Sequence, residues 1–131
     1  MKEVMAVIRL NRINDTKQAL AKAGFPSLTA LKAVGRGKEA VEFEIVQALN
    51  EHPSETSEVL PLLATGSRLL PKRLLSVVVP DDKVDRVVST LIETNQTGTP
   101  GDGKIFVLPV EDSVRVSTGE TAELAINEMK G

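Results

Sequence analysis

The sequence predicts an α+β fold of the ferredoxin-like kind, βαβ-βαβ, with helices on one face of a sheet. Three observations carry this: a strand–helix–strand pattern occurs twice, an amphipathic helical stripe spans 84–92, and each half carries a glycine-containing corner. The first half opens with Glu3 to Leu10, a mostly aliphatic run read as a strand. Asn14-Asp15 supplies an N-cap, helix formers run from Thr16 to Ala23, and Gly24 stops the helix with Pro26 just beyond. Ile13, Ala19, Leu20 and Ala23 give that helix one apolar stripe. A second strand covers Ser27 to Val34 and ends at Gly35-Arg36-Gly37-Lys38. The second half repeats the pattern. Arg73 to Val79 is strand-like, and Pro80-Asp81-Asp82 caps a helix in which Val84, Val87, Val88, Leu91 and Ile92 share a face. A glycine-rich turn and the strand Ile105 to Leu108 close the unit. Val114 to Val116 adds a short strand, and Thr118-Gly119-Glu120 starts a C-terminal helix that runs to Glu128.

At 131 residues the chain holds one core and is read as a single domain, 1–131, with a C-terminal extension over 117–131. Between the halves lies a segment of about thirty residues, roughly 38–71, which fits neither strand and has helical character in Val41 to Leu49. A connection of that length inside a compact domain points to a function. The strands are nearly continuous in hydrophobic residues, so a sheet covered on one face leaves the other apolar. Burial against further subunits is the remedy, and an oligomer is expected.

Composition narrows the function. Cysteine is absent, which removes disulfides and thiolate metal sites, and a cytoplasmic location is the default. No charged leader with an apolar run and no bilayer-length apolar stretch occurs, so membrane insertion is not expected. The net charge of −2 argues against nucleic acid as a partner, and three Phe with no Trp or Tyr give no base-stacking platform. His52 stands alone in a polar segment, which disfavours a metal site or a histidine-based triad.

The richest stretch is Thr97-Gly98-Thr99-Pro100-Gly101-Asp102-Gly103-Lys104, followed at once by the Ile105 strand. Glycines let the backbone bend through positive φ and approach a ligand closely. Exposed N–H groups backed by one ammonium suit a phosphate. The plain alternative is a β-turn carrying a solvated lysine. The stretch is no Walker A loop, because that requires Gly-Lys-Ser/Thr opening a helix and here a strand follows.

The two corners, together with Leu70-Pro71-Lys72, Val78-Val79-Pro80-Asp81-Asp82, Arg115, Thr118-Gly119-Glu120 and Ala125-Ile126, resemble the PII nitrogen-regulatory signalling family. The resemblance covers 1–38 and 70–126. It implies a trimeric or hexameric assembly of ferredoxin-like protomers, with ATP or ADP between neighbours and 2-oxoglutarate beside the phosphates through Mg²⁺. The 38–71 segment would then be a protruding loop that docks on targets. Carried over residue by residue, Lys104 and the backbone of Gly101, Asp102 and Gly103 match the phosphate-cradling corner. Gly35 and Gly37 match nucleotide-contacting glycines, Thr29 a threonine near the adenine, and Arg115 one of two phosphate-facing arginines. Lys38 stands where the family usually has Arg, keeping the charge and losing the bidentate fork. Lys72 matches the lysine that pairs with a 2-oxoglutarate carboxylate.

Two departures matter. Glu39 replaces the family's glutamine that helps hold Mg²⁺ and 2-oxoglutarate; a carboxylate can ligate Mg²⁺ yet repels a dicarboxylate. Ser117 replaces the second arginine. Tyrosine is absent, so the acceptor for uridylylation is missing. Arg36 and the long, atypical loop resemble the nitrogenase-associated NifI subgroup, and Glu39 points to its second, partner-type subunit. That resemblance implies no catalysis, a homotrimer or a hetero-oligomer with a paralogous PII-like subunit, and a nitrogenase component as target, inhibited when ammonium is plentiful. The alternatives are a small phosphoryl-transfer enzyme using Lys104 and Asp102, a nucleotide-independent structural trimer, and a standard regulator of an ammonium transporter or glutamine synthetase.

Overall fold

A computed structural model of the chain describes residues 1–37 and 69–131. The elements are β1 (Lys2–Arg9), a 3₁₀ turn (Leu10–Arg12), α1 (Ile13–Lys22), β2 (Thr29–Gly35), β3 (Leu70–Val79), a 3₁₀ turn (Asp81–Lys83), α2 (Val84–Asn95), β4 (Lys104–Pro109) and a last 3₁₀ turn (Ala122–Ile126). The strands form one sheet in the order β2-β3-β1-β4, and every neighbouring pair is antiparallel. Each βαβ unit is therefore split, with β3 between β1 and β2, and β1 between β3 and β4. The fold is the ferredoxin-like one expected.

Side chains alternate across the pleat. Val4, Ala6 and Ile8 of β1 join Leu75, Val77 and Val79 of β3 in a core closed by Leu20, Phe25, Val87 and Leu91, with Ile126 and Met129 from the C-terminal segment. The opposite parity carries Val7, Leu74, Leu31, Phe106 and Leu108. On that face Leu31 is 56% exposed, Phe106 45% and Leu108 38%, so the expected second apolar face exists.

Several boundaries differ from the sequence reading. The helix α1 begins at Ile13 after a 3₁₀ turn, and no side chain caps it, so Asn14-Asp15 lies inside the helix and not at its cap. Asp15 instead pairs with Arg12 at 2.8 Å. Likewise Pro80-Asp81-Asp82 leads into a 3₁₀ turn, without a side-chain cap, while Asp81 takes the N-terminal ammonium at 2.9 Å. β3 begins at Leu70, so Leu70 and Pro71 belong to the sheet and not to the inter-half segment. Pro71 is tolerated because β1 ends opposite Lys72, leaving Pro71 paired on the β2 side alone. The C-terminal helix over 118–128 does not form: Gly119 and Ala122 both take positive φ (75° and 52°), which breaks helical progression, and only the turn Ala122–Ile126 remains. Of the short strand at 114–116, one bridge between Val114 and Thr121 exists. The Val41 to Leu49 reading lies outside the described residues.

The helices meet through a polar contact that periodicity alone does not show. Thr16 and Asn95 are both buried. The Thr16 hydroxyl donates to the Arg12 carbonyl at 2.7 Å and accepts from Asn95 Nδ2 at 3.1 Å. Asn95 Nδ2 also donates to the Leu91 carbonyl at 3.0 Å. Such a pair fixes the register of α1 against α2, because sliding either helix would strand a buried donor. Thr16→Val keeps the shape and removes the acceptor. It is expected to lower unfolding free energy by about 1–2 kcal/mol in urea denaturation, with the slope unchanged.

Candidate functional site

The glycine corner is built around one carboxylate. Between α2 and β4 the chain passes Gly98, Gly101 and Gly103 at φ of 80°, 97° and 117°, conformations that side-chain-bearing residues avoid. Asp102 turns back into this loop. Its Oδ2 accepts the backbone N–H of Thr97 at 2.8 Å and of Gly98 at 2.9 Å. Its Oδ1 accepts the Thr97 hydroxyl and Arg9 Nη1, the latter at 2.6 Å. Arg9, at the end of β1, also donates to the Pro100 carbonyl at 2.9 Å and the Thr99 hydroxyl at 3.3 Å. Partial burial disfavours the charged carboxylate, but the donors from Thr97, Arg9 and Gly98 together outweigh it and hold Asp102 far below the usual carboxylate range. What Asp102 offers a ligand is therefore its backbone.

Gly103 then runs so close to β1 that a Cβ there would sit 1.9 Å from the Val7 carbonyl oxygen. Only glycine fits. Lys104 follows as the first residue of β4, exposed, with Val7 as its cross-strand partner. Next to this corner Lys72 is buried on β3, flanked in register by Arg9 and Ala33. Gly35 ends β2 opposite Leu70, and Gly37 is exposed two residues later. One end of the sheet thus carries Gly35, Lys72, Arg9 and the 101–104 corner. Lys38 and Glu39, and with Glu39 the expected Mg²⁺ ligand, lie outside the described residues. Among the described residues no cluster of His, Cys, Asp and Glu could hold a metal ion.

A cleft of about 400 Å³ opens beneath the corner, lined by Ile8, Leu91, Ile92, Asp102, Lys104 and Ile105. Ile92, expected in the core stripe, is 44% exposed there, and Asn95 takes the inward position in the last turn of α2.

Thr29 and Arg115 sit elsewhere. Thr29 starts β2, six extended residues or about 20 Å from Gly35. Arg115 follows the far end of β4, beyond the pairing of Pro109 with Lys2. Its guanidinium faces the C-terminal segment: Nη2 reaches Glu128 at 2.8 Å, Asn127 at 3.1 Å and the Ala125 carbonyl at 3.0 Å, and Nε lies 3.5 Å from Glu120. Glu128 takes the Ser27 hydroxyl at 2.9 Å on its other oxygen. Its own backbone N–H, then Arg115 and Ser27, hold its carboxyl below the ordinary range. A hollow of about 190 Å³ beside it is lined by Ser27, Thr29, Ser76, Ile126 and Glu128. The predicted nucleotide residues therefore fall into two groups within one protomer. Sequence spacing does not reveal Arg9, Glu128 and Ser27, since Arg9 acts through a partner 93 residues away, Ser27 and Glu128 meet across 101 residues, and Glu128 reaches Arg115 from a segment whose composition predicts a helix.

Asp102→Asn has one acceptor oxygen, so it cannot serve the Thr97 and Gly98 N–H groups and Arg9 at once. It is expected to cost about 1–2 kcal/mol at neutral pH. Because the folded-state pKa is lowered, the contribution of Asp102 is complete above the unfolded carboxylate value of about 4 and fades as pH falls below it. Urea curves of wild type and variant should thus converge on acidification; a constant gap from pH 7 to pH 3 would contradict the role of its charge.

Comparison with known proteins bears on the family and the fold. The family model described as "Nitrogen regulatory protein P-II" matches residues 1–120. The chain is 45% identical over 128 residues to the "Nitrogen fixation nifHD region GlnB-like protein 2" of Methanobacterium ivanovii, covering 96% of this chain and 99% of that one. It is 36% identical over 126 residues to the "Nitrogen regulatory protein P-II 1" of Escherichia coli strain K12, covering 96% and 100%. The crystal structure of Arabidopsis thaliana PII bound to citrate superposes with a TM-score of 0.69 at 32% identity, covering 95% of this chain and 87% of that chain. The chain belongs to the nitrogen regulatory protein P-II family, and its resemblance within that family extends to the nifHD-region GlnB-like members.

Proposed function

We propose that this protein is a P-II-type regulator that senses ATP or ADP together with 2-oxoglutarate and controls nitrogenase in the cytoplasm when ammonium is plentiful. The observation that carries the reading is the corner itself. Positive-φ glycines, an internally neutralised Asp102 and the exposed Lys104 leave a backbone turn with net positive character facing outward, which suits a polyphosphate. Lys72, close by and drawn in beside Arg9, suits one carboxylate of 2-oxoglutarate. Glu39 would be the protein ligand of a magnesium ion, which when bound would supply charge neutralisation between two anions.

The split between the two residue groups bears on assembly. A nucleotide that touches Lys104 and Arg115 together needs them from different protomers, because in one chain they lie at opposite ends of β4. The exposed face with Leu31, Phe106 and Leu108 supplies an apolar surface for that association. We read the assembly as a homotrimer, or a hetero-oligomer with a paralogous subunit. The names of relatives from several methanogens, tied to the nifHD region, support a nitrogenase component as the target over an ammonium transporter or glutamine synthetase. The segment between β2 and β3 is the docking element in this reading. Catalysis is not part of it, as the family is one of regulators.

Calorimetric titration tests the ligands. Lys104→Ala should weaken ATP binding about tenfold or more, the loss of a charge-assisted contact to phosphate. Lys72→Ala should weaken 2-oxoglutarate binding in the presence of ATP and Mg²⁺ while leaving ATP affinity within about twofold. Wild-type affinities in both variants would remove the corner and Lys72 from the ligand site. Titration of purified nitrogenase with the protein, with and without ATP and 2-oxoglutarate, tests the target; inhibition relieved by 2-oxoglutarate is the expected result, and unchanged activity throughout would exclude it.

A further inference from the structure

We propose that Glu128, assisted by Glu120, is a positioning residue that competes with nucleotide phosphate for Arg115 and so sets how tightly the nucleotide is held. The inference rests on the nucleotide reading above. Arg115 is not poised in open solvent. Two carboxylates share its guanidinium, at 2.8 Å and 3.5 Å, so its immediate surroundings carry an excess negative charge. A phosphate arriving at Arg115 must displace or tolerate both. The neighbouring position that could have supplied a second cation holds the neutral Ser117.

The Glu128 carboxylate is presented from a fixed backbone. Ile126 and Met129 on either side are buried, the Met129 N–H bonds the Ile126 carbonyl at 3.0 Å, and the Gly131 N–H bonds the Gly24 carbonyl at 3.2 Å. Detaching that segment would expose two core side chains, so the exchange is confined to side chains: Arg115 leaves Glu128 for phosphate, and Glu128 keeps its hydrogen bond from Ser27. Glu128 also lines the hollow that Thr29 enters, which puts the competing charge on the wall of the proposed adenine side of the site. Both ion pairs are about one-third exposed, so the competition is moderate in size and tunes affinity without abolishing binding.

The test is calorimetric titration of ATP into wild type, Glu128→Gln, Glu120→Gln, Arg115→Gln and the Arg115→Gln/Glu128→Gln double variant. Glutamine at 128 preserves the size and the acceptor for Ser27 while removing the charge. Glu128→Gln is expected to tighten ATP binding about 3- to 10-fold, and Glu120→Gln by a smaller factor in the same direction. In the Arg115→Gln background the gain should vanish, which a purely structural effect of Glu128 would not produce. Unchanged or weaker ATP binding by Glu128→Gln, or a gain that persists without Arg115, overturns the proposal and leaves the ATP-binding reading intact. Glu120→Gln, outside the core, decides the matter if Glu128→Gln does not fold. Absence of ATP binding by wild type and every variant overturns both.

Discussion

The Arg9–Asp102 contact is the constraint on which the proposed ligand end of the molecule depends. It joins residues 93 positions apart, at 2.6 Å, and ties a loop with three positive-φ glycines to the end of a central strand. A loop of that composition has high conformational entropy and would not hold one shape unaided. Asp102 gathers the Thr97 and Gly98 N–H groups, and Arg9 gathers the Pro100 carbonyl and the Thr99 hydroxyl, so both flanks of the turn are held from within. Pre-organisation of this sort reduces the ordering cost that a ligand would otherwise bear. It also offsets the charge of Asp102, since a carboxylate inside the proposed phosphate-binding turn would repel such a ligand unless a cation neutralised it.

The split βαβ topology has a second consequence. Interleaving β3 between β1 and β2 brings the ends of β1 and β2 and the starts of β3 and β4 to one end of the sheet, where Arg9, Gly35, Lys72 and Lys104 gather. The same topology sends the chain after β4 to the other end, where Arg115 is held by Glu128. Packing of Ile126 and Met129 against the core then gives the C-terminal segment a structural role as well as an electrostatic one.

Much of this was legible in the residues. Among the described residues, the continuous apolar runs located the four strands and the helical stripes the two helices, because burial leaves a strong pattern of apolar positions. The bend of the glycine corner through positive φ was legible too. Its internal wiring was not, since nothing near Asp102 in sequence announces a partner on β1. Local capping signals misled at Asn14-Asp15 and Pro80-Asp81-Asp82, where short 3₁₀ turns carry the chain into each helix and free the acidic groups for ion pairs. The C-terminal helix failed for a related reason: helix formers are plentiful over 120–128, but tertiary anchoring of Ile126 and Met129 and the left-handed residues Gly119 and Ala122 select a tight turn. Thr16 and Asn95 are polar residues doing a register-setting job that a hydrophobic stripe cannot reveal.

Gly35 and Leu70 face each other across a ladder, as the last residue of one strand and the first of the next. Whatever lies between them departs from and returns to a hydrogen-bonded step of the sheet, so its ends are already closed by the fold. Chain-closure entropy rises slowly with contour length, by about 0.6 kcal/mol per doubling. Evolution can therefore lengthen, shorten or exchange the intervening stretch while the core stays as it is. A scaffold with that property can be redirected to new clients by rewriting a single insert.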